Sequence, residues 1–96
     1  MVRLYRSRDD IIVDILRAAS GGAKKTHIMQ RANLNPLMFK KYFPVLLTNG
    51  LVVEDGDPNG GSLYRVSAEG KEFLKMYRAL RARLNKEVAK EPAYLS

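Results

Sequence analysis

Lys24-Lys25-Thr26-His27-Ile28-Met29-Gln30-Arg31-Ala32-Asn33-Leu34-Asn35-Pro36 is the stretch that decides the fold. Ile28, Met29 and Ala32 recur at helical spacing, so a short basic helix starts near residue 24 and ends near residue 32. Asn33 suits a left-handed helix stop, and Leu34 plugs the turn into the core. Asn35 caps the next helix, with Pro36 at its first position, where a missing N–H costs nothing. A helix, a tight polar turn and a capped second helix outline a helix-turn-helix, whose second helix fits the major groove of DNA. Asn49-Gly50-Leu51-Val52-Val53 then stops that helix and opens a strand. A helix-turn-helix followed at once by a short hairpin is the winged-helix pattern.

Upstream, Asp9 is a good N-cap for a first helix whose face is Ile11, Ile12, Ile15, Leu16 and Ala19. Ser20-Gly21-Gly22 ends it. Residues 1–8, with Arg3, Arg6 and Arg8, read as a short arm or strand; such an arm can enter a minor groove, or it is simply a solvated terminus. In the third helix Phe39, Phe43, Leu46 and Leu47 form the inward stripe, and Leu37, Met38, Lys40, Lys41 and Pro44 point away from it. Pro44 lies about two turns in and removes a bond to the Lys40 carbonyl, which predicts a kink or a break into two short helices.

Downstream, residues 51–54 read as the first wing strand, residues 55–61 as a turn-rich tip, and residues 62–66 as the return strand. Leu63 and Arg65 share one side of that strand, and Tyr64 and Val66 the other. Ser67 caps a fourth helix that runs without proline from residue 68 to about residue 90, roughly 33 Å. Gly70 weakens its first turn and is expected where that helix packs on the first one. Phe73, Tyr77, Leu80 and Leu84 follow a heptad seam, with Val88 slightly out of register. Folding back on its own domain would use Phe73, Leu74 and Tyr77 but not Leu80, Leu84 and Val88. A two-helix coiled coil between subunits would use them, and a two-fold dimer presents two recognition helices. Pro92 follows the end of this helix, and residues 93–96 form a tail.

Ninety-six residues make one fold. Residues 1–66 are expected to be the winged helix-turn-helix and residues 67–91 a dimerisation helix packed on it. The net charge of +7 favours a polyanion. Its distribution is more telling: residues 1–50 hold nine Lys/Arg and three Asp/Glu, whereas residues 51–66 hold Arg65 against Glu54, Asp55 and Asp57. No run of about 18 apolar residues exists to span a membrane. No signal-like apolar stretch follows Met1, so the expected place is the cytoplasm. Without cysteine there is no disulfide or thiolate metal site, and with His27 as the only histidine no metal pattern forms. His27 has no carboxylate partner in sequence, no nucleophile motif surrounds the hydroxyls, and neither Gly-Gly pair is a phosphate loop. An enzyme, a cofactor and a small-molecule ligand are therefore not expected.

Lys24, Lys25 and Thr26 at the start of the second helix, and Lys40 and Lys41 on the outside of the third, are the phosphate-contact candidates. Asn35, Leu37 and Met38 lie at the leading end of the third helix, where base edges are usually reached. Among these only Asn35 could hydrogen-bond a base; Leu37 and Met38 could touch a thymine methyl. Arg65 is the wing's one candidate contact, because Asp55 and Asp57 oppose it. The competing reading is a protein-interaction module, supported by the acidic wing and by apolar Leu37 and Met38.

Ile11-Ile12-Val13-Asp14-Ile15-Leu16, Gly-Ala-Lys-Lys-Thr-His-Ile-Met at 22–29, Arg31-Ala32-Asn33-Leu34, Lys41-Tyr42 and Gly50-Leu51 resemble the small archaeal winged-helix DNA-binding proteins of the ten-a chromatin-protein type. The resemblance covers about residues 9–80. It implies an α+β, mainly helical winged helix-turn-helix with a long C-terminal helix pairing in an antiparallel coiled-coil dimer, and a nucleoid-type or regulatory binder of double-stranded DNA. Lys24, Lys25, Thr26 and the exposed face of the third helix become the DNA surface, and Phe73, Tyr77, Leu80 and Leu84 the dimer seam. Pro44 departs from the family pattern.

Overall fold

The computed structural model describes residues 6–90, with side chains through residue 84. The expected tail at residues 93–96, Arg3 of the arm and the side chain of Val88 lie outside the described residues. Four helices and a hairpin follow in the order α1 (Arg8–Ala18), α2 (Lys25–Arg31), α3 (Pro36–Thr48), β1 (Val52–Gly56), β2 (Ser62–Val66) and α4 (Ala68–Lys90). This is the expected mainly helical winged-helix order.

Ser7, not Asp9, caps α1. Its hydroxyl accepts from Asp10 N–H at 3.1 Å, and the Asp10 carboxylate accepts from Ser7 N–H at 3.2 Å. The reciprocal pair satisfies two amides at once, which a lone Asp9 cap would not. Of the expected arm, residues 1–5 lie outside the described residues, Arg8 belongs to α1, and Arg6 is pinned. Its guanidinium donates to Asp14 Oδ2 at 2.8 Å and to the Ala32 and Asn33 carbonyls at 2.6 and 2.5 Å. Arg6 thus closes the exposed C-terminal end of α2 onto α1. Asn33 has the left-handed φ of 56° that the turn requires.

The core joins Ile11, Ile15 and Leu16 of α1, Ile28 and Ala32 of α2, and Phe39, Phe43 and Leu46 of α3. Val13, outside the apolar face read from the sequence, is buried as well. It lines a hollow between α1 and α4 together with Tyr77 and Arg78. Fully burying each large aliphatic or aromatic side chain contributes roughly 1.5–3 kcal/mol, and this shared cluster holds the short α2 in place.

Pro44 neither breaks α3 nor divides it: the helix is continuous across it. Pro44 is exposed while Phe43 and Leu46 on either side are buried. The packed stripe overrides the lost bond. Met38 does not point away from the core; it is half-buried against it.

β1 and β2 pair antiparallel from Val52–Val66 to Gly56–Ser62. The first strand thus reaches past Glu54 to Gly56, and Gly60 and Gly61 turn the tip at φ 98° and 82°. Ala23, in the loop before α2, adds an isolated bridge to β2: Ala23 N–H donates to Tyr64 O at 2.9 Å and Tyr64 N–H to Ala23 O at 2.8 Å. Ser67 caps α4 by accepting from Gly70 N–H at 3.0 Å. Gly70 does not meet α1. A Cβ there would lie 2.5 Å from Val66 Cγ1 and collide with the Leu51 carbonyl, so glycine lets α4 start directly against the wing.

Candidate nucleic-acid interface

Five of the sequence-predicted phosphate contacts are exposed on α2 and α3. Lys24 is the N-cap residue of α2, with Lys25 and Thr26 in its first turn. The chain leaves that cap tethered to β2 by the Ala23 bridge, so these residues stand at a fixed place beside the wing. α2 and α3 pack so that Lys25, Thr26 and Lys40 border one hollow of about 250 Å³, and Leu37, Met38, Lys40 and Lys41 border a second. Lys40 thus links the α2 cluster to the leading end of α3.

The lysines differ in what holds them. Lys25 Nζ lies 5.8 Å from the Phe43 ring centre and 5.6 Å from that of Tyr64. Lys41 Nζ lies 5.3 Å from the Tyr42 ring centre. Such contacts orient an exposed ammonium without neutralising it. Lys24 faces an acid: its Nζ is 3.6 Å from Asp57 Oδ2. Asp57 is itself fixed, since its Oδ1 accepts from Asn59 N–H at 3.0 Å and its carbonyl from Gly60 N–H at 2.8 Å. Arg65 Nε donates to Asp55 Oδ2 at 2.6 Å. Both wing acids therefore sit on predicted DNA contacts. Nothing in the local sequence signals that Asp57 reaches the start of α2.

Asn35 caps α3 by accepting from Met38 N–H at 2.8 Å through Oδ1. A bidentate contact with adenine needs an amide oxygen and an amide nitrogen together. The cap occupies the oxygen, which leaves the Asn35 NH₂ as donor. Leu37 is 78% exposed at the same end of the helix.

The dimer-seam candidates fall into two groups. Phe73 and Tyr77 pack partly against the core of their own chain. Tyr77 Oη donates to Asp10 Oδ1 at 3.0 Å, and Arg81 Nη1 approaches the same oxygen at 3.9 Å. Burial raises the Tyr77 phenol pKa above 10.0; the hydrogen bond to Asp10 and its charge push the same way, and Arg81 pulls back. Leu80 and Leu84 are instead 55% and 49% exposed, and Met76, not singled out in the sequence, is 62% exposed one turn before Leu80. These three lie four residues apart, on one helical face.

The sequence pattern of the winged helix-turn-helix family matches residues 5–85. The chain belongs to that family. Its winged helix superposes on Sso10a-2 of Sulfolobus solfataricus, described as a DNA-binding protein, with a TM-score of 0.72, 23% identity, and 88% of this chain and 90% of that chain covered. It also superposes on the PcaV transcriptional regulator of Streptomyces coelicolor, solved with its natural ligand, with a TM-score of 0.67 and 24% identity over 97% of this chain and 68% of that one. The ten-a resemblance thus has a structural counterpart in Sso10a-2. No curated protein matches the chain in sequence. Among the described residues no helix is long and apolar enough to cross a membrane, and no cluster of His, Cys, Asp and Glu could hold a metal ion.

Proposed function

We propose that the chain is a homodimeric DNA-binding protein of the cytoplasm, a transcription regulator or nucleoid-type architectural protein. It lays α3 in the major groove and takes phosphates with Lys24, Lys25, Thr26, Lys40 and Lys41. The observation that carries the reading is the gathering of Lys25, Thr26 and Lys40 round one exposed surface at the front of α3. The fold is shared with a protein described as DNA-binding and with a transcriptional regulator. Phosphate contacts release counterions and give affinity to any sequence. Sequence is read weakly, by the Asn35 amide and by Leu37 and Met38 against thymine methyls. Arg65 joins only where DNA phosphate displaces Asp55. Two copies pair through Met76, Leu80 and Leu84, with Phe73 and Tyr77 at the proximal edge and Val88 continuing the seam, in an antiparallel coiled coil. The reading needs no enzymatic step and no cofactor.

The experiment is fluorescence anisotropy with random-sequence duplex DNA over a salt series. Steep salt dependence is expected. Changing Lys24, Lys25, Lys40 and Lys41 to Ala should flatten the log–log slope by about 3.6 for each subunit that contacts the DNA, at about 0.9 per phosphate contact. An unchanged slope would remove this surface from the reading.

A protein-interaction module is the second reading. The Asp57–Lys24 and Asp55–Arg65 pairs favour it, because they spend two cations internally, as does the exposed Leu37. Absence of DNA binding even at low salt would decide for it.

A further inference from the structure

The two acid–base pairs of the wing differ in build. Asp55 and Arg65 are both about half exposed on the strand surface, where such a pair contributes little. The Asp57 side chain is only 10% exposed, and its Oδ2 lies 3.6 Å from Lys24 Nζ. Three loop bonds set its place: Oδ1 accepts from Asn59 N–H at 3.0 Å, its carbonyl accepts from Gly60 N–H at 2.8 Å, and its own N–H donates to Gly61 O at 3.2 Å. Pro58 behind it disfavours a helical backbone at Asp57. Lys24 is fixed at its root as well, because its neighbour Ala23 is bonded twice to Tyr64 of β2. A surface ion pair loses much of its worth in ordering two long side chains. Here one partner is short, and both backbones are already tied together. Among the described residues, Lys24 alone of Lys24, Lys25, Lys40 and Lys41 lies within ion-pair distance of a carboxylate.

We infer that Asp57 is a built-in stand-in for a DNA phosphate: its carboxylate occupies Lys24 in the free protein, and a duplex must displace it to dock there. The inference rests on the reading of this face as the DNA surface. An ammonium takes a carboxylate and a phosphate oxygen through the same charge-assisted contact, so the two compete for Lys24. The competition is uneven. A carboxylate held in the same molecule acts like free anion at an effective concentration on the order of millimolar or more, so a lone phosphate ion displaces it poorly. A duplex already anchored at Lys25, Lys40 and Lys41 brings its next phosphate to Lys24 with the same advantage. Asp57 thus makes the use of Lys24 conditional on the other contacts, and it lowers the affinity of the whole face.

The test is fluorescence anisotropy with a random-sequence duplex at one low salt concentration, comparing the full chain with Asp57→Asn, Lys24→Ala and the double variant. Asn keeps an Oδ1 acceptor for Asn59 N–H and removes only the charge; circular dichroism checks the fold. Asp57→Asn should bind about two- to fivefold more tightly for each subunit on the DNA. Removing any acid near DNA relieves repulsion, so the Lys24→Ala background decides. There the gain from Asp57→Asn should shrink to less than half on a logarithmic scale. An equal gain with and without Lys24 would overturn the inference. The Asp57 carboxyl carbon, followed by NMR in the unaltered chain, needs no variant. Its resonance should move as duplex saturates the protein and stay still with inorganic phosphate at the same total phosphate. A resonance that ignores the duplex, or follows both alike, would overturn the stand-in. The two proposals fail separately. A parent that binds duplex while Asp57→Asn binds no more tightly removes the stand-in and leaves the DNA reading in place. If neither binds, the DNA reading falls and takes the stand-in with it. A parent that fails to bind while Asp57→Asn binds supports both.

Discussion

The two halves of α4 share one helix and face opposite fates. In the first, Gly70 lies against the Leu51 carbonyl and Val66, Leu74 is buried, and Tyr77 is bonded to Asp10 of α1. In the second, Leu80 and Leu84 stand in solvent with Met76 leading into them. A small domain has too little surface to cover so long a helix. The first half belongs to the energetics of the fold, and the second presents an apolar strip of the kind that marks association surfaces.

Substitutions along α4 should reveal that division. Leu74→Ala removes a buried side chain and should cost about 2–5 kcal/mol, lowering the melting temperature by roughly 10 °C or more in calorimetry. A shift under a few degrees would mean that α4 is not packed as described. Gly70→Ala gains roughly 1 kcal/mol of helix propensity but drives a methyl into backbone, and a net loss of about 1–3 kcal/mol is expected from denaturant melts. Stabilisation instead would show that α4 lifts easily from the wing.

Leu80→Glu with Leu84→Glu tests the distal half. Each change should alter the stability of the isolated fold by less than about 0.5 kcal/mol, yet light scattering should report half the mass of the parent. A dimer that survives places the subunit contact elsewhere, and a parent that is already monomeric removes it.

Tyr77→Phe, back in the proximal half, should cost roughly 0.5–1.5 kcal/mol at neutral pH for a half-exposed hydrogen bond. The phenol pKa is raised in the folded state by burial and by Asp10, so its contribution is full below the ordinary tyrosine value and lost as pH climbs through the folded value. The parent should therefore lose more stability than the Phe variant on the alkaline side of pH 10, as read from parallel melts. Equal losses would detach Tyr77 from the α1–α4 contact.

Most of the fold was legible because its signals are local. The Asn33 turn, the Asn35 cap with Pro36, and the alternation in β2 each follow from a few neighbouring residues, and the structure has each as expected. The misreadings came partly from competing local signals and partly from distance. Ser7 wins the α1 cap because Asp10 completes a reciprocal pair. Pro44 stays within one helix because Phe43 and Leu46 are buried around it. At the interface, the lysines could be placed by helix face, but the pairing of Lys24 with Asp57 joins segments far apart in sequence, and no periodicity encodes it.

The paired bonds between Ala23 and Tyr64 carry a mechanical consequence. They weld the loop ahead of α2 to the hairpin, so a force that lifts the wing also pulls on the end of α2 that carries Lys24 and Lys25. The hairpin cannot swing alone, as a hinged flap would. Its movement is geared to that of α2, and a displacement of the wing is transmitted to the helix end that carries Lys24 and Lys25.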